Sequence, residues 1–105
     1  MEKPNKSYIN SLSDGDIVFE KRLIAIIKDE FPLEKEVYFK NMDKKKYKLV
    51  ADNVHKLKHK ISIFGLARGY ETAAEFENNL HEGSIEGKDE FEAILKNITN
   101  YLNQL

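Results

Sequence analysis

Apolar side chains recur at spacings of three and four residues along most of the chain, and polar, Gly- or Pro-containing breaks separate the runs. This periodicity predicts helices nearly throughout. The clearest apolar stripe lies in a segment of about 44–64 and consists of Tyr47, Val50, Val54, Leu57, Ile61 and Phe64. We expect this stripe, like the others in the chain, to face a hydrophobic core.

The segment before that stripe predicts a short helix at about 7–12 and a longer one at about 15–41. Between them, Ser13 and Asp16 have the spacing of a capping box. The apolar stripe of the longer segment includes Phe19, Leu23, Ile26, Ile27, Phe31, Val37, Tyr38 and Met42. Because Pro32 interrupts this stripe, the segment is either kinked or divided into two abutting helices.

The remaining breaks separate three further helices. Asp43 is a candidate N-cap for the helix at about 44–64. Gly65 and Gly69 bracket the next junction, and the helix around 70–80 ends at Gly83, a residue that readily adopts the left-handed conformation. A last stripe, from Phe91 to Leu102, predicts the C-terminal helix, with acidic residues near its positive end.

Four long amphipathic helices joined by short loops predict an all-α fold, an up-down-up-down antiparallel four-helix bundle with a short extra N-terminal helix. The chain has 105 residues, a common size for one domain. We therefore expect a single domain over residues 1–105, with the short helix at about 7–12 and the bundle at about 15–104. Met1 favours a free-standing protein.

Composition excludes several classes of site and location. The chain has no Cys, which rules out disulfides, thiolate metal sites and cysteine nucleophiles. No apolar run approaches the roughly 18 residues that span a bilayer, and the N-terminus lacks a secretory signal. We expect a soluble, cytoplasmic protein that contacts no membrane.

Charge is unevenly distributed although the net charge is only −1. Residues 44–60 contain seven Lys and one acid, whereas residues 71–92 contain eight acids and one Lys. This asymmetry predicts one positive and one negative surface, and hence charged partners.

His55 is the residue whose predicted position has chemical consequences. With about 100° per residue, it lies about 160° from Leu57 and therefore outside the buried stripe. Ala51, Lys58, His59 and Ser62 are predicted on the same outer face. A neutral imidazole is a nucleophile, and nearby Lys charges favour the neutral ring and attract a phosphoryl group. The residues thus allow reversible phosphoryl transfer, or alternatively a solvated basic face with an incidental histidine.

A wider pattern of motifs resembles the histidine-containing phosphotransfer (HPt) family. His55-Lys56-Leu57-Lys58 followed by Gly65 is similar to its H-x-L-K-G signature with a second Gly ten residues after the His, and Phe76-Glu77 falls where Leu-Glu is usual. The resemblance covers about residues 8–104. It departs from the family at three positions: His59 replaces the Gly after the Lys, Leu66 replaces an Ala and Gly69 replaces a Leu.

The resemblance implies a phosphorelay protein that shuttles a phosphoryl group between receiver-domain aspartates. His55 would be the phosphoacceptor, through Nε2, and Lys58 would screen the phosphoryl charge. Ala51, Asp52, His59 and Ser62 would contact the partner, a response-regulator receiver domain or a hybrid sensor histidine kinase. The chain would be a monomeric carrier rather than a turnover enzyme, with no cofactor or metal of its own, because the receiver holds the Mg²⁺.

Other functions remain open on the residues alone. The bundle could dock a receiver or another acidic protein without any phosphorylation. Nucleic-acid binding is less favoured, because no exposed aromatic accompanies the Lys-rich segment. His55 and His59 have the i, i+4 spacing of a metal clamp, but Lys neighbours repel cations and no third ligand is evident. Gly65 and Gly69 lack the context of a phosphate-binding loop, so no ATP site is predicted, and His81 is expected on the surface.

Overall fold

A computed structural model of the protein describes residues 2–105, and within that range the regular structure is entirely α-helical. The all-α bundle with a short N-terminal helix is thereby confirmed. Its helices are α1 (Ser7–Ser13), α2 (Ile17–Asp43), α3 (Tyr47–Ile63), α4 (Ala67–His81) and α5 (Lys88–Asn103). None of the helices described combines the length and the apolar character needed to cross a membrane.

Helix α3 is the central element, because it packs extensively against α4 and also against α2. The predicted stripe is confirmed at Val50, Val54, Leu57, Ile61 and, just beyond the helix end, Phe64, which are fully buried. Its first residue, Tyr47, is only partly buried. Burying each such side chain contributes roughly 1.5–3 kcal/mol to folding. The buried stripe fixes the rotation of α3, and it thereby determines which side chains face outward.

Helix α5 is joined to α2 by polar contacts. The buried Tyr38 hydroxyl donates to Glu92 Oε2 at 3.0 Å, and Lys35 Nζ donates to Thr99 Oγ1 at 2.8 Å. Burial, reinforced by the negative charge of Glu92, raises the pKa of Tyr38 far above its ordinary value. The phenol therefore remains a hydrogen-bond donor at any physiological pH.

Helix α2 runs through Pro32 without a break, so the alternative of two abutting helices is wrong. Its N-cap is Asp16, whose Oδ1 accepts from the Phe19 amide at 3.0 Å. Ser13 is the last residue of α1, and its hydroxyl donates to the Asn10 carbonyl instead. The predicted capping box is therefore replaced by an N-cap at Asp16 alone, because α1 extends as far as Ser13.

Part of the stripe predicted for the α2 core is exposed. Ile27, Phe31, Tyr38 and Met42 are buried as expected, but Phe19, Ile26 and Val37 are exposed and Leu23 is only partly buried. Helix α2 has 27 residues and the other long helices have 15 to 17. Its apolar residues cover an arc wider than the arc its neighbours can bury.

The ends of α3 and α4 differ from prediction in two places. Asp43 is the last residue of α2 and not the cap of α3, whose N-cap is Lys46 with no side-chain hydrogen bond. Gly69 lies within α4, whereas Gly65 lies in the preceding turn with φ +76°. The left-handed Gly83 follows α4, as the sequence predicts.

The N-terminal segment is fastened across the α3–α4 turn. The Glu2 carboxylate accepts from the amides of Arg68 and Gly69 at 2.9 and 2.8 Å, at the start of α4. Burial opposes ionisation of Glu2, but these amides and the Arg68 charge hold its pKa below the ordinary value. The backbone amide of Asn5 donates to the backbone carbonyl of Phe64 at 2.9 Å. Glu2 thus caps α4, which lacks a capping side chain of its own.

We expect Gly65→Ala to destabilise the protein more than Gly83→Ala does. Both glycines have positive φ, which costs an alanine about 1–2 kcal/mol. A Cβ at Gly65 would also lie 2.6 Å from Asn5 Nδ2, whereas a Cβ at Gly83 meets nothing within 4 Å. Urea unfolding of both variants measures the difference. Equal losses would show that Asn5 moves aside at no cost.

Candidate functional site

The imidazole of His55 projects from the middle of α3 with 54% of its side chain exposed. Its outward position follows from the burial of Val54 and Leu57, the residues on the core side of the same helical turn. Helix α3 thus presents an accessible imidazole on a rigid element that two neighbouring helices support.

Glu77 of α4 approaches one edge of this imidazole. Its Oε2 and Oε1 atoms lie 3.1 and 3.3 Å from His55 Nδ1. An ionised carboxylate can only accept a hydrogen bond, so this contact requires the proton to be on Nδ1. In the neutral ring, Nε2 then carries the lone pair.

Lys58 completes a three-residue cluster, which we call the His55–Glu77–Lys58 triad. Lys58 Nζ donates to Glu77 Oε1 at 3.0 Å and lies 5.5 Å from the centre of the Tyr70 ring. The Lys58 side chain is only 13% exposed and that of Glu77 only 16%. The sequence predicts Lys58 on the solvent-exposed outer face of α3. In the structure its side chain is instead paired with Glu77 and largely buried.

The two basic members of the triad keep Glu77 ionised. Burial, the largest single influence, favours the protonated acid, but it is outweighed by the hydrogen bond and charge of Lys58 together with the smaller effect of His55. Together these partners hold the pKa of Glu77 below its ordinary value. An anion is thus maintained beside the Nδ1 edge of His55 at neutral pH.

His59 contacts His55 from the next turn of α3. The two ring centroids are 5.1 Å apart, and the rings meet edge-on at 88°. His59 is exposed, as are Asp52 and Ser62. Asp52, His59 and Ser62 are thus accessible on α3, as predicted, and His59 lies directly against the imidazole.

Ala51 does not belong to the accessible surface. It is fully buried, so its prediction as an exposed contact residue is wrong. Ala51 lies about 120° from Leu57 around the helix, at the margin of the apolar stripe. Because α3 packs against both α2 and α4, it buries a wider arc than its apolar residues alone indicate.

The positive charge near His55 is weaker than the sequence predicts. Lys58 is paired with Glu77, and Lys60 Nζ donates to Glu30 and Glu34 of α2 at 3.0 and 3.1 Å. Lys56 remains exposed beside His55. The other exposed Lys residues of the basic segment lie at the α2–α3 turn and the start of α3, at Lys44, Lys45, Lys46 and Lys48.

Glu77 is the site residue that the sequence did not assign to a role. Its only sequence signal is the Phe76-Glu77 pair, which belongs to the HPt resemblance. Phe76 is fully buried and Glu77 follows it along α4, so the anchored ring determines where the carboxylate emerges. The contact with His55 depends on the register of α4 against α3, which no pattern within one helix shows.

Within residues 2–105, no three His, Asp or Glu side chains are grouped so that they could hold a metal ion. His81 lies exposed at the end of α4, as predicted. Comparison of the chain with protein-family models, curated proteins and solved structures finds no match.

The depressed pKa of Glu77 predicts a pH-dependent contribution to stability. Ionised Glu77 stabilises the folded state above its unfolded pKa, near the reference value of 4.5, and this contribution is lost as the pH falls through the lower folded pKa. We therefore expect Glu77→Gln to be less stable than wild type by about 1 kcal/mol at neutral pH. Urea unfolding at several pH values should show this difference closing below pH 4.5. A pH-independent difference would contradict the assignment.

Proposed function

We propose that this protein is a histidine phosphotransfer protein of a two-component phosphorelay, with His55 as the phosphoryl carrier. The observation that carries the proposal is the exposed imidazole whose Nδ1 edge is held by the ionised carboxylate of Glu77. An incidental surface histidine needs no such buried partner. The H-x-L-K motif and the four long helices are further support.

The proposed nucleophile is Nε2 of His55. The hydrogen bond to Glu77 keeps the proton on Nδ1, so Nε2 carries the lone pair that attacks phosphorus. Half of the side chain is open to solvent, which leaves room for a phosphorylated partner. The edge-on contact with His59 limits rotation of the ring and narrows the approach from that side.

The transfer step balances without a further reactant. The Nε2 lone pair forms a bond to the phosphorus of an aspartyl phosphate on the partner, while the bond from phosphorus to the aspartyl oxygen breaks. The electron pair of that bond leaves with the aspartate, which becomes a carboxylate. The imidazole keeps its Nδ1 proton and gains positive charge, which the Glu77 carboxylate stabilises. Attack by a second receiver aspartate reverses these steps.

Lys58 has two roles in this proposal. At rest it keeps Glu77 ionised and in position, at 3.0 Å. It lies one turn from His55, so its charge also reduces the repulsion between the incoming phosphoryl group and the Glu77 carboxylate. The role differs from that of a free lysine, because Lys58 acts on the phosphoryl group while it remains paired with Glu77.

The partners proposed are receiver domains, supplied by response regulators or by a hybrid sensor histidine kinase. Exposed Asp52, His59 and Ser62 lie on the same helix as the imidazole and would contact such a partner. The Mg²⁺ required for aspartyl phosphate chemistry would belong to the receiver, whose acidic pocket complements Lys56. The carrier would work in the cytoplasm, where receivers are phosphorylated.

We expect His55→Gln to abolish phosphorylation and to leave the fold intact, because the side chain is exposed. The assay incubates the protein with a phosphorylated receiver and measures acid-labile, base-stable label on this chain. His59→Gln and His81→Gln serve as controls and should retain the label. Label retained on His55→Gln would move the phosphorylation site to another residue. No label on wild type with any receiver would favour a docking module without chemistry.

We expect Glu77→Gln to slow transfer by roughly tenfold to a hundredfold, since the amide no longer enforces the Nδ1 tautomer or stabilises the charged ring. Glu75→Gln, an exposed neighbour on α4, is the matched control and should transfer at the wild-type rate. Rapid-quench measurement of single-turnover transfer separates chemistry from docking. Equal rates for the two variants would remove Glu77 from the mechanism.

Lys58→Ala should slow the same step by about tenfold, or about 1.4 kcal/mol of transition-state stabilisation. The matched control is Lys56→Ala, which removes an equal charge from an exposed position on the same helix. If both variants lose rate only at low ionic strength, the effect is general attraction of an acidic partner. In that case Lys58 has no specific role in transfer.

A further inference from the structure

Helix α2 carries a second apolar stripe beside its buried one, and within residues 2–105 no other element covers most of it. The stripe comprises Phe19, Ile26, Leu33 and Val37, which are 45%, 47%, 64% and 46% exposed, together with the partly buried Leu23. It extends about 27 Å along the helix at 1.5 Å per residue. An apolar strip this long is more than scattered surface residues and indicates an interaction surface.

The spacing along this stripe is that of a coiled-coil seam. Apolar residues occur at positions 19, 23, 26, 33 and 37, and Glu30 occupies the remaining core position. The intervals alternate between four and three residues, as in the a and d positions of a heptad repeat. The surface therefore fits another long helix with the same repeat, and α2, with 27 residues, is itself such a helix.

We propose that α2 of a second copy of this chain pairs antiparallel with this stripe and forms a homodimer. In a two-fold register centred on residue 28, Phe19 faces Val37 of the second copy and Leu23 faces Leu33. A groove of about 160 Å³ is lined by Leu33, Glu34 and Val37 of α2 and by Asn53 and Lys56 of α3. It lies where Phe19 of the second copy would enter. Each chain would supply one groove and one phenylalanine.

Charge complementarity favours this antiparallel register over a parallel one. At the ends of the paired helices, Asp16 would meet Lys40 of the second copy and Arg22 would meet its Glu36, each pair occurring twice. A parallel pairing would instead place Glu30 against Glu30 and Asp29 against Glu34. The antiparallel register also brings Glu20 near Glu34 of the second copy, but it adds the attractive pairs that the parallel one lacks. We therefore place the two copies antiparallel, with the same surface of each chain at the interface.

Glu30 and Asp29 near the two-fold axis would keep the dimer weak. Glu30 would face Ile26 of the second copy, and its charge is balanced by Lys60 of its own chain at 3.0 Å. The two Asp29 side chains would approach each other across the axis. We expect a dissociation constant of about 10 µM to 1 mM, the range of weak, reversible association. A dimer differs from the monomer expected from the sequence, which predicts Phe19, Leu23, Ile26 and Val37 in the core.

Sedimentation equilibrium of the intact chain tests the proposal. The wild-type mass should rise from one chain towards two with concentration, whereas Ile26→Glu should remain a single chain throughout. Glu30→Leu, which removes the charge from the seam, should dimerise at about tenfold lower concentration. Ile85→Glu is the matched control, because Ile85 is similarly exposed but lies outside α2, and it should behave as wild type. Circular dichroism confirms that each variant is folded.

The absence of cysteine from the chain allows a direct test of direction. Asp29→Cys should form an intermolecular disulfide under mild oxidation, since residue 29 meets itself in the antiparallel register. Phe19→Cys should not, although it would in a parallel pairing. A wild type that stays monomeric to about 1 mM, or cross-linking at residue 19 alone, would overturn the proposal. So would stripe variants that alter only transfer from a receiver, which would assign the surface to that partner.

Discussion

The packing of α3 against α4 is the constraint on which the candidate site depends. It buries the apolar stripe of α3 and so directs His55 outward, and it places the residue after Phe76 beside the imidazole. Neither helix contains the site alone, because the imidazole comes from α3 and the carboxylate from α4. A shift of one residue in either helix would rotate its side chain by about 100° and separate the pair. The packing of the hydrophobic core thus determines the geometry of the contact between His55 and Glu77.

The sequence predicts much of this fold because helical periodicity is a local signal. The buried residues of α3, the outward direction of His55 and the left-handed Gly83 follow from spacing and backbone preference. The contacts made by Glu77, Lys58 and Lys60 do not, because they depend on which helices are neighbours and in what register. Ala51 and Ile26 show the same limit in opposite directions. Ala51 is buried because α3 has a second neighbouring helix, and Ile26 is exposed because no described helix packs over it.

Two salt-bridge clusters lie on opposite sides of α3 and differ in their consequences. Lys60 joins two carboxylates of α2, whereas Lys58 and His55 share one carboxylate of α4. The first arrangement only ties two helices together. In the second, one acid has two basic partners, so any change in the charge of His55 alters the interaction of Glu77 with Lys58. The imidazole is therefore coupled to a helix–helix contact, and its chemical state can influence how firmly α3 and α4 are held.

The continuity of α2 through Pro32 has a consequence for how the bundle opens. Proline has no amide hydrogen, so the carbonyl of Lys28 lacks its helical donor, and both residues are exposed to water that can replace it. The hydrogen bonding of the helix is thus weakened at Pro32, although the helix itself is continuous. The half after Pro32 is tied to α5 through Lys35 and Tyr38, whereas the earlier half is joined to α3 through the exposed Glu30, which accepts from Lys60. In hydrogen exchange the two halves should therefore behave as separate cooperative units, the first opening while the remainder stays closed.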